Sequence, residues 1–530
     1  MYNYMNSKWG TFFMELMTQN ILQINEKIRE YAQITFDDDY VIRDNKPDVA
    51  KIVAINSALV TDEIKCLKDA LWIEGKVLFE ALYRSDGRSM EPESLQGEVL
   101  FQEKIPLDGL CENDHVKVHL DIEDIAFTVI NSRKLSLRGV INLEIIAEEQ
   151  LDTNVTYGVK PEDEFEQQKN MVNILRLQCN LKDIIRIKNE ITIPKSKPNI
   201  QRIIYSFVDV RNKEYYFQGK EFIVSGEMHF SILYMSEEGG NEWYEDMIPL
   251  NGKVSCDKAY EPDVFAGRVQ LTQQNIEPQY DYDKEMRQIS LELVFDVEVK
   301  AWKEEETMIL KDIYSTRSNI KPVYKKLTTE HLLMKNVAKN RLCEQFSLEQ
   351  NEEKIMQICA SRGKAKVDSV ELNENGLWVE GFLEIEILYI TANDGFPIAH
   401  LTKQIPFEQQ VEVTGIVQGD VYEVKSGCDL LAVSLLDNTE YEVKGTVSLE
   451  VLVLRRDVIS VINDVEVEEE VVEKDSNEGG IVGYIVKKGE SLWDIAKEYH
   501  TSMDEIARIN NLSSKEVSEG DKLLIVKSII

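Results

Sequence analysis

The chain is short of almost everything that chemistry at a site usually needs. No phosphate-cradling glycine loop, nucleophile elbow or His-Glu-x-x-His zinc helix occurs in its 530 residues. Its seven cysteines (66, 111, 179, 256, 343, 359 and 428) are odd in number and scattered, with no C-x-x-C pair. That pattern excludes a zinc ribbon or a regular disulfide framework and fits free thiols in a reducing cytosol. No run reaches the roughly 20 apolar residues that a membrane helix needs. The stretch Trp9-Gly-Thr-Phe-Phe-Met14 is broken by Glu15, and no small-residue cleavage site follows it. The expectation is therefore a chain that stays in the compartment where it is made, with Met14 as an alternative start to Met1. Positive charge is scarce as well: 60 basic against 95 acidic residues leave −35. Such a surface repels nucleic acid and anionic membrane, so neither nucleic-acid binding nor direct membrane insertion is expected.

Histidines offer little more. His115 and His119 sit in His115-Val-Lys-Val-His-Leu-Asp-Ile122, which alternates like a strand and would place them about 13 Å apart. Carboxylate pairs are too abundant to single out. No catalytic residue, metal site or cofactor is expected, and a hydrolase reading has no constellation to rest on.

What the chain has instead is repetition. Leu71-Trp-Ile-Glu-Gly75 recurs as Phe222-Ile-Val-Ser-Gly226 and Leu377-Trp-Val-Glu-Gly381, each followed by a Leu-Tyr pair ending at Tyr83, Tyr234 or Tyr389. Apolar residues alternate through each segment: Ile73, Val77, Phe79 and Ala81; Val224, Met228, Phe230 and Ile232; Val379, Leu383, Ile385 and Ile387. This predicts long strands over Leu71–Tyr83, Phe222–Tyr234 and Leu377–Tyr389, with Glu80, Ser231 and Glu386 on a wetter opposite face. The aligned tyrosines fall on the apolar side, as core rings whose hydroxyls are bonded at the strand end. Downstream, Ile105-Pro-Leu, Ile248-Pro-Leu and Ile405-Pro-Phe align, and second alternating strands begin at Leu135, Ile289 and Tyr441. Upstream, Pro47-Asp-Val-Ala-Lys-Ile52 matches Pro198-Asn-Ile-Gln-Arg-Ile203, and the third copy has Glu353-Lys-Ile-Met-Gln-Ile358 without the proline.

This set of landmarks resembles the SPOCS domain of SipL-type spore-coat assembly proteins, in which SPOCS accompanies a LysM domain. The last residues supply the second half of that resemblance. Tyr484–Val486 reads as a strand ending at Gly489, Ser491 with Asp494 as a capping box, and Leu492, Ile495, Ala496 and Tyr499 as one helix face. Ser502 and Glu505 form a second box, Asn510-Asn511 ends that helix, and Leu523-Leu-Ile525 closes the sheet. Strand, helix, helix, strand with these words resembles a LysM domain, a non-catalytic recognition module.

The expected fold is mainly β: three tandem β-rich units and a small C-terminal βααβ LysM domain. The boundaries read as an amphipathic arm over 1–35 (through Ile21, Leu22, Ile24 and Ile28), units over 36–160, 161–325 and 326–470, an acidic tether over 471–482 and the LysM over 483–530. Residues 169–187 and 327–341 carry mixed patterns that fit short helices or linking strands. The units are expected to form an extended array.

The LysM resemblance implies a shallow ligand groove between Gly489-Glu490-Ser491-Leu492 and Ile509-Asn510-Asn511-Leu512, with Glu490-Ser491 where the family usually has Asp-Thr. Trp493, expected to point partly outward, is a candidate anchor for a protein partner. The SipL resemblance implies an adaptor of the mother-cell cytosol, recruited to the forespore surface. Its LysM would bind the ATPase-type morphogenetic protein that coats the forespore, and the repeated units would meet other coat proteins. The alternative is a peptidoglycan-binding wall protein recognising N-acetylglucosamine.

Overall fold

The computed structural model describes residues 5–7, 10–12, 14–86, 91–393, 395–467 and 480–526. It is mainly β, with one pattern of sheets occurring three times ahead of a small domain with two short helices.

In each unit a three-stranded antiparallel sheet has the expected alternating strand at its centre: Ala70–Ser85, Glu221–Ser236 or Gly376–Thr391. The alternation does its work, since Val77, Phe79, Ala81, Met228, Phe230, Ile232, Leu383, Ile385 and Ile387 are all buried. Tyr83 and Tyr234 are fully buried too, and their hydroxyls donate to the carbonyls of Pro47 and Pro198, both at 3.1 Å. The recurring glycine has a local cause. The neighbouring strand bulges opposite it, between Thr61 and Glu63, Arg211 and Glu214, or Val367 and Ser369. A Cβ at Gly75, Gly226 or Gly381 would lie within 3.0 Å of that strand's carbonyl oxygen.

The second sheet of each unit is built on a long two-stranded ribbon: Glu15–Val41 with Lys134–Lys160, Phe165–Thr192 with Met286–Ser315, and Ile320–Ser347 with Glu440–Val467. A third strand (His115–Asn131, Val264–Tyr280 or Val421–Leu435) pairs only with the first half of each return strand. That half closes a sandwich over the first sheet, with apolar cores of their own in all three units. The rest of each ribbon continues as two strands alone.

These free halves pack together as a stem. One cluster takes a residue from each of the six ribbon strands: Ile21, Val155, Ile174, Ile309, Leu327 and Val461. A second, at the tip, joins Val159, Phe165, Ile313, Ile320, Ile462 and Val465. At about 3.3 Å per residue a ribbon of this length runs roughly 90 Å. Because every unit starts and finishes at the stem tip, the links between units are short there, over residues 161–164 and 316–319.

Several expectations are revised or resolved. Residues 15–35 are not part of an arm but belong to the first ribbon strand, Glu15–Val41, and 320–325 belong with the third ribbon and not the second unit. The mixed-pattern stretches 169–187 and 327–341 are ribbon strands as well. The units do not form an extended array: their heads meet around a shared apolar centre containing Ala54 and Leu82, Ile204, Tyr205 and Leu233, and Cys359, Ala360 and Leu388. For the same reason Glu80, Ser231 and Glu386 do not lie on a wet face. They lie along the seams between units, where Ser231 is 4% exposed and burial pushes the Glu80 carboxyl up to about 7.

The seams are also polar, and they run in a cycle. Arg202 forks onto Glu93 between the second and first units. Arg211, held by Asp209 at 2.7 Å, donates to the carbonyls of Ser361 (2.7 Å) and Leu431 (3.0 Å) of the third. Arg362 donates to Asn56 of the first at 3.0 Å. On the return strands, three glutamates face three basic side chains in register: Glu144 with His119, Glu298 with Arg268 and Glu450 with Lys425. His119 spans the first–second seam, 3.1 Å from Glu144 and 3.0 Å from Glu298. Burial opposes ionisation of both carboxyls, but His119, with Arg29 and Arg268 on one side and Lys117 and Lys182 on the other, holds them down at about 2.

Candidate functional site

The small domain follows the expected order. Ile481–Ile485 pairs antiparallel with Lys522–Val526, and between them lie α1 (Leu492–Glu498) and α2 (Met503–Ile509). Ser491 caps α1 in a full capping box with Asp494: its hydroxyl oxygen accepts from the Asp494 N–H at 3.3 Å, and its own N–H donates to the Asp494 carboxylate at 3.0 Å. The second box is half formed. Ser502 accepts from the Glu505 N–H at 3.1 Å, whereas the Glu505 carboxylate accepts from the Thr501 hydroxyl at 3.3 Å. Leu492, Ile495, Ala496 and Ile506 form the core with Leu523 and Ile525, and Leu512 packs against it.

Several residues singled out for binding have structural duties. Glu490 accepts from the Tyr484 hydroxyl (2.7 Å) and the Lys487 N–H (2.9 Å), which with the Lys487 charge hold its carboxyl below the usual range. Asn510 pairs with the backbone of the closing strand in both directions, donating to the Leu524 carbonyl at 2.8 Å and accepting from its N–H at 2.7 Å. Leu492 is core. Gly489, Ser491 and Asn511 are exposed, and Ile509 and Leu512 are half-buried. Gly489 (φ 82°) and Asn511 (φ 51°) both adopt the left-handed backbone that turns each loop.

Trp493 does not point outward. It is 4% exposed, its ring edge-on to Tyr314 at 4.9 Å between centroids, and its indole N–H donates to Asp312 at 2.8 Å. Both partners belong to the second ribbon, so the domain is seated on the stem. Lys497 donates to the two Asp312 oxygens at 2.7 Å, and the Tyr314 hydroxyl donates to the Thr501 carbonyl at 2.8 Å. The repeats carry no signal for Asp312 or Tyr314, because the equivalent positions of the other ribbons are Gly158 and Lys160, and Asp464 and Glu466.

Of the histidine pair, His119 is the seam bridge already described. All seven cysteines are free, with Cys179, Cys256, Cys359 and Cys428 buried. No helix among the described residues is long and apolar enough to cross a membrane.

Known families match segments of both parts of the chain. The SipL SPOCS-domain family matches residues 48–130 and 354–436, and the LysM-domain family matches 484–526. The matched SPOCS segments are the head strands of the first and third units; the second unit has the same sheets and strand order without a match. No curated protein and no solved structure matches the chain. The chain thus carries two SPOCS-domain segments of the SipL family, followed by a C-terminal LysM domain.

Proposed function

We propose that this protein is a non-catalytic scaffold of spore-coat assembly, built from three SPOCS-type domains with the second included by its fold. Its LysM domain binds an ATPase-type morphogenetic protein that coats the forespore. The protein works in the mother-cell cytosol and is recruited to the forespore surface, where the heads meet other coat proteins. The observation that carries this reading is the presence of SipL-type SPOCS segments and a LysM domain on one chain. A head built three times over offers repeated surfaces at fixed spacing, which suits a scaffold better than a single reaction centre.

The test is imaging of a fluorescent fusion during sporulation, with the full chain and with residues 481–530 removed. The full chain should form a shell around the forespore, and the truncated one should stay diffuse while remaining folded. A truncated protein that still forms the shell would overturn the role given to the LysM domain.

A second reading has one observation in its favour. LysM domains commonly bind peptidoglycan, and the loops at Gly489 and Asn511 are open to solvent. Titration of the full chain with soluble muropeptides separates the two, since tight binding there without forespore recruitment favours the wall.

A further inference from the structure

The three ribbons end alike but not identically. Each return strand carries a bulge near the tip, at Tyr157, Lys311 or Asn463. The residues that follow are Gly158-Val159-Lys160, Asp312-Ile313-Tyr314 and Asp464-Val465-Glu466. The middle residue of each triplet is buried in the stem-tip cluster, so alternation turns the two flanking residues away from it. Only the second ribbon offers a carboxylate and an aromatic ring side by side on that outer face, and the LysM domain sits there and not on the other two.

The contact is more than a brush between neighbours. Asp312 accepts from the Trp493 indole, from Lys497 on both oxygens and, from the stem side, from the Tyr324 hydroxyl at 2.9 Å. Those bonds hold its carboxyl below the usual range against the burial that opposes it. Tyr314 is packed as part of the LysM core, with Leu492, Trp493 and Ile506, rather than with the stem cluster beside it. His500 Nδ1 lies 3.4 Å from the Ser315 carbonyl, continuing the contact to the last residue of the ribbon strand. The docked face is therefore Trp493, Lys497, His500 and Thr501, whereas the loop residues Gly489, Ser491 and Asn511 stay exposed.

We propose that Asp312 and Tyr314 form a latch that seats the LysM domain on the second ribbon in the free protein, closing its Trp493 face and turning its two loops outward. A partner then engages the loop side while the domain stays seated; this last step rests on the proposed role of the LysM domain in recruitment. The stretch expected as an acidic tether lies, over 471–479, outside the described residues.

The latch is read by zero-length carbodiimide crosslinking of the full-length protein at high dilution, followed by peptide mass spectrometry. A Lys497–Asp312 link should form at a yield independent of dilution. The exposed pair Lys303–Asp263, at 2.9 Å within the second unit, is the internal standard. The standard link without the Lys497–Asp312 link would overturn the latch. In Tyr314→Leu, amide exchange over 492–499 should rise about tenfold or more through easier local opening, and unchanged exchange would also count against it. Forespore recruitment of fluorescent Asp312→Asn tests the partner face. Recruitment equal to the unmodified chain supports the loop side, and a marked gain or loss shows that the partner uses the Trp493 face or needs the seating removed. If the crosslink forms but neither fusion is recruited, the latch stands and the recruitment reading fails.

Discussion

The joints between the units and the joint between stem and LysM domain are built from different materials. The heads meet through a broad apolar centre and a cycle of buried polar bridges, drawn from every unit. The LysM domain is held chiefly by one carboxylate and one aromatic contact on a single ribbon. A surface of the first kind forms as the units fold and cannot open without exposing apolar area to water. A contact of the second kind buries one aromatic pair and one charged cluster, so opening it exposes far less apolar area than parting the heads. Threefold repetition thus gives a permanent body, and the one place where the repetition is broken gives a separable module.

The sharpest way to break this comparison is to place charge in the two kinds of apolar interior. Phe230→Asp should cost about 5 kcal/mol and unfold the second sandwich, because an ionised carboxylate cannot be accommodated there without a partner. Leu233→Asp, on the opposite face of the same strand, should leave the sandwich cores intact and open the shared centre. Urea unfolding, followed by circular dichroism and by small-angle scattering, distinguishes the two: loss of β signal in the first, expansion with β signal retained in the second.

A smaller effect is expected at Arg211. Arg211→Met leaves Asp209, itself buried, without its main partner and removes the two bonds to the third unit. The expected loss is about 3 kcal/mol by chemical denaturation, and a neutral result would show that the seam is held by its apolar centre alone.

The His119 bridge predicts an acid dependence. Glu144 and Glu298 are held at about 2 in the folded chain, below the ordinary 4.5. Their contribution is therefore fully present above about pH 4.5 and is lost as pH falls toward 2. His119→Ala should lower stability by about 2 kcal/mol at neutral pH and flatten the decline between pH 4.5 and 2. A melting-temperature series from pH 7 to pH 3 for both proteins checks the sign. The least effect is expected in the small domain, where Ser491→Ala should cost about 1 kcal/mol through loss of the α1 cap. It should raise amide exchange in α1 without altering the body.

What could be read in advance follows from how local each interaction is. Helix caps and the alternating head strands depend on residues a few positions apart, and both were legible. So were the head halves of the return strands, from Leu135, Ile289 and Tyr441; the stem halves of the ribbons were not, because there apolar residues of both faces are drawn into different clusters. Ile21 faces the stem axis while its neighbour Leu22 packs on a different cluster, so the apolar residues lose the period of two and resemble an amphipathic arm. The closure of the three heads did leave a trace. Leu82, Leu233 and Leu388, each just before the aligned tyrosine, are apolar residues on what looked like the outer face, and all three are buried at the shared centre. In the two LysM loops the sequence located the turns but not the bonds that hold them, since Asn510 pairs with the backbone of Leu524 and Glu490 accepts from the Lys487 N–H as well as the Tyr484 hydroxyl.

Both ends of every unit lie at the stem tip, and this gives the molecule a mechanical character. A pull applied between the LysM domain and the heads runs along the ribbons, parallel to their strands and across their hydrogen bonds. Loaded that way, the rungs of a ladder share the force together and do not fail one at a time as they would when peeled from an end. Tension would be felt first at the small domain's seat and last in the heads, so the chain is arranged to yield where it can reform and to hold where it cannot.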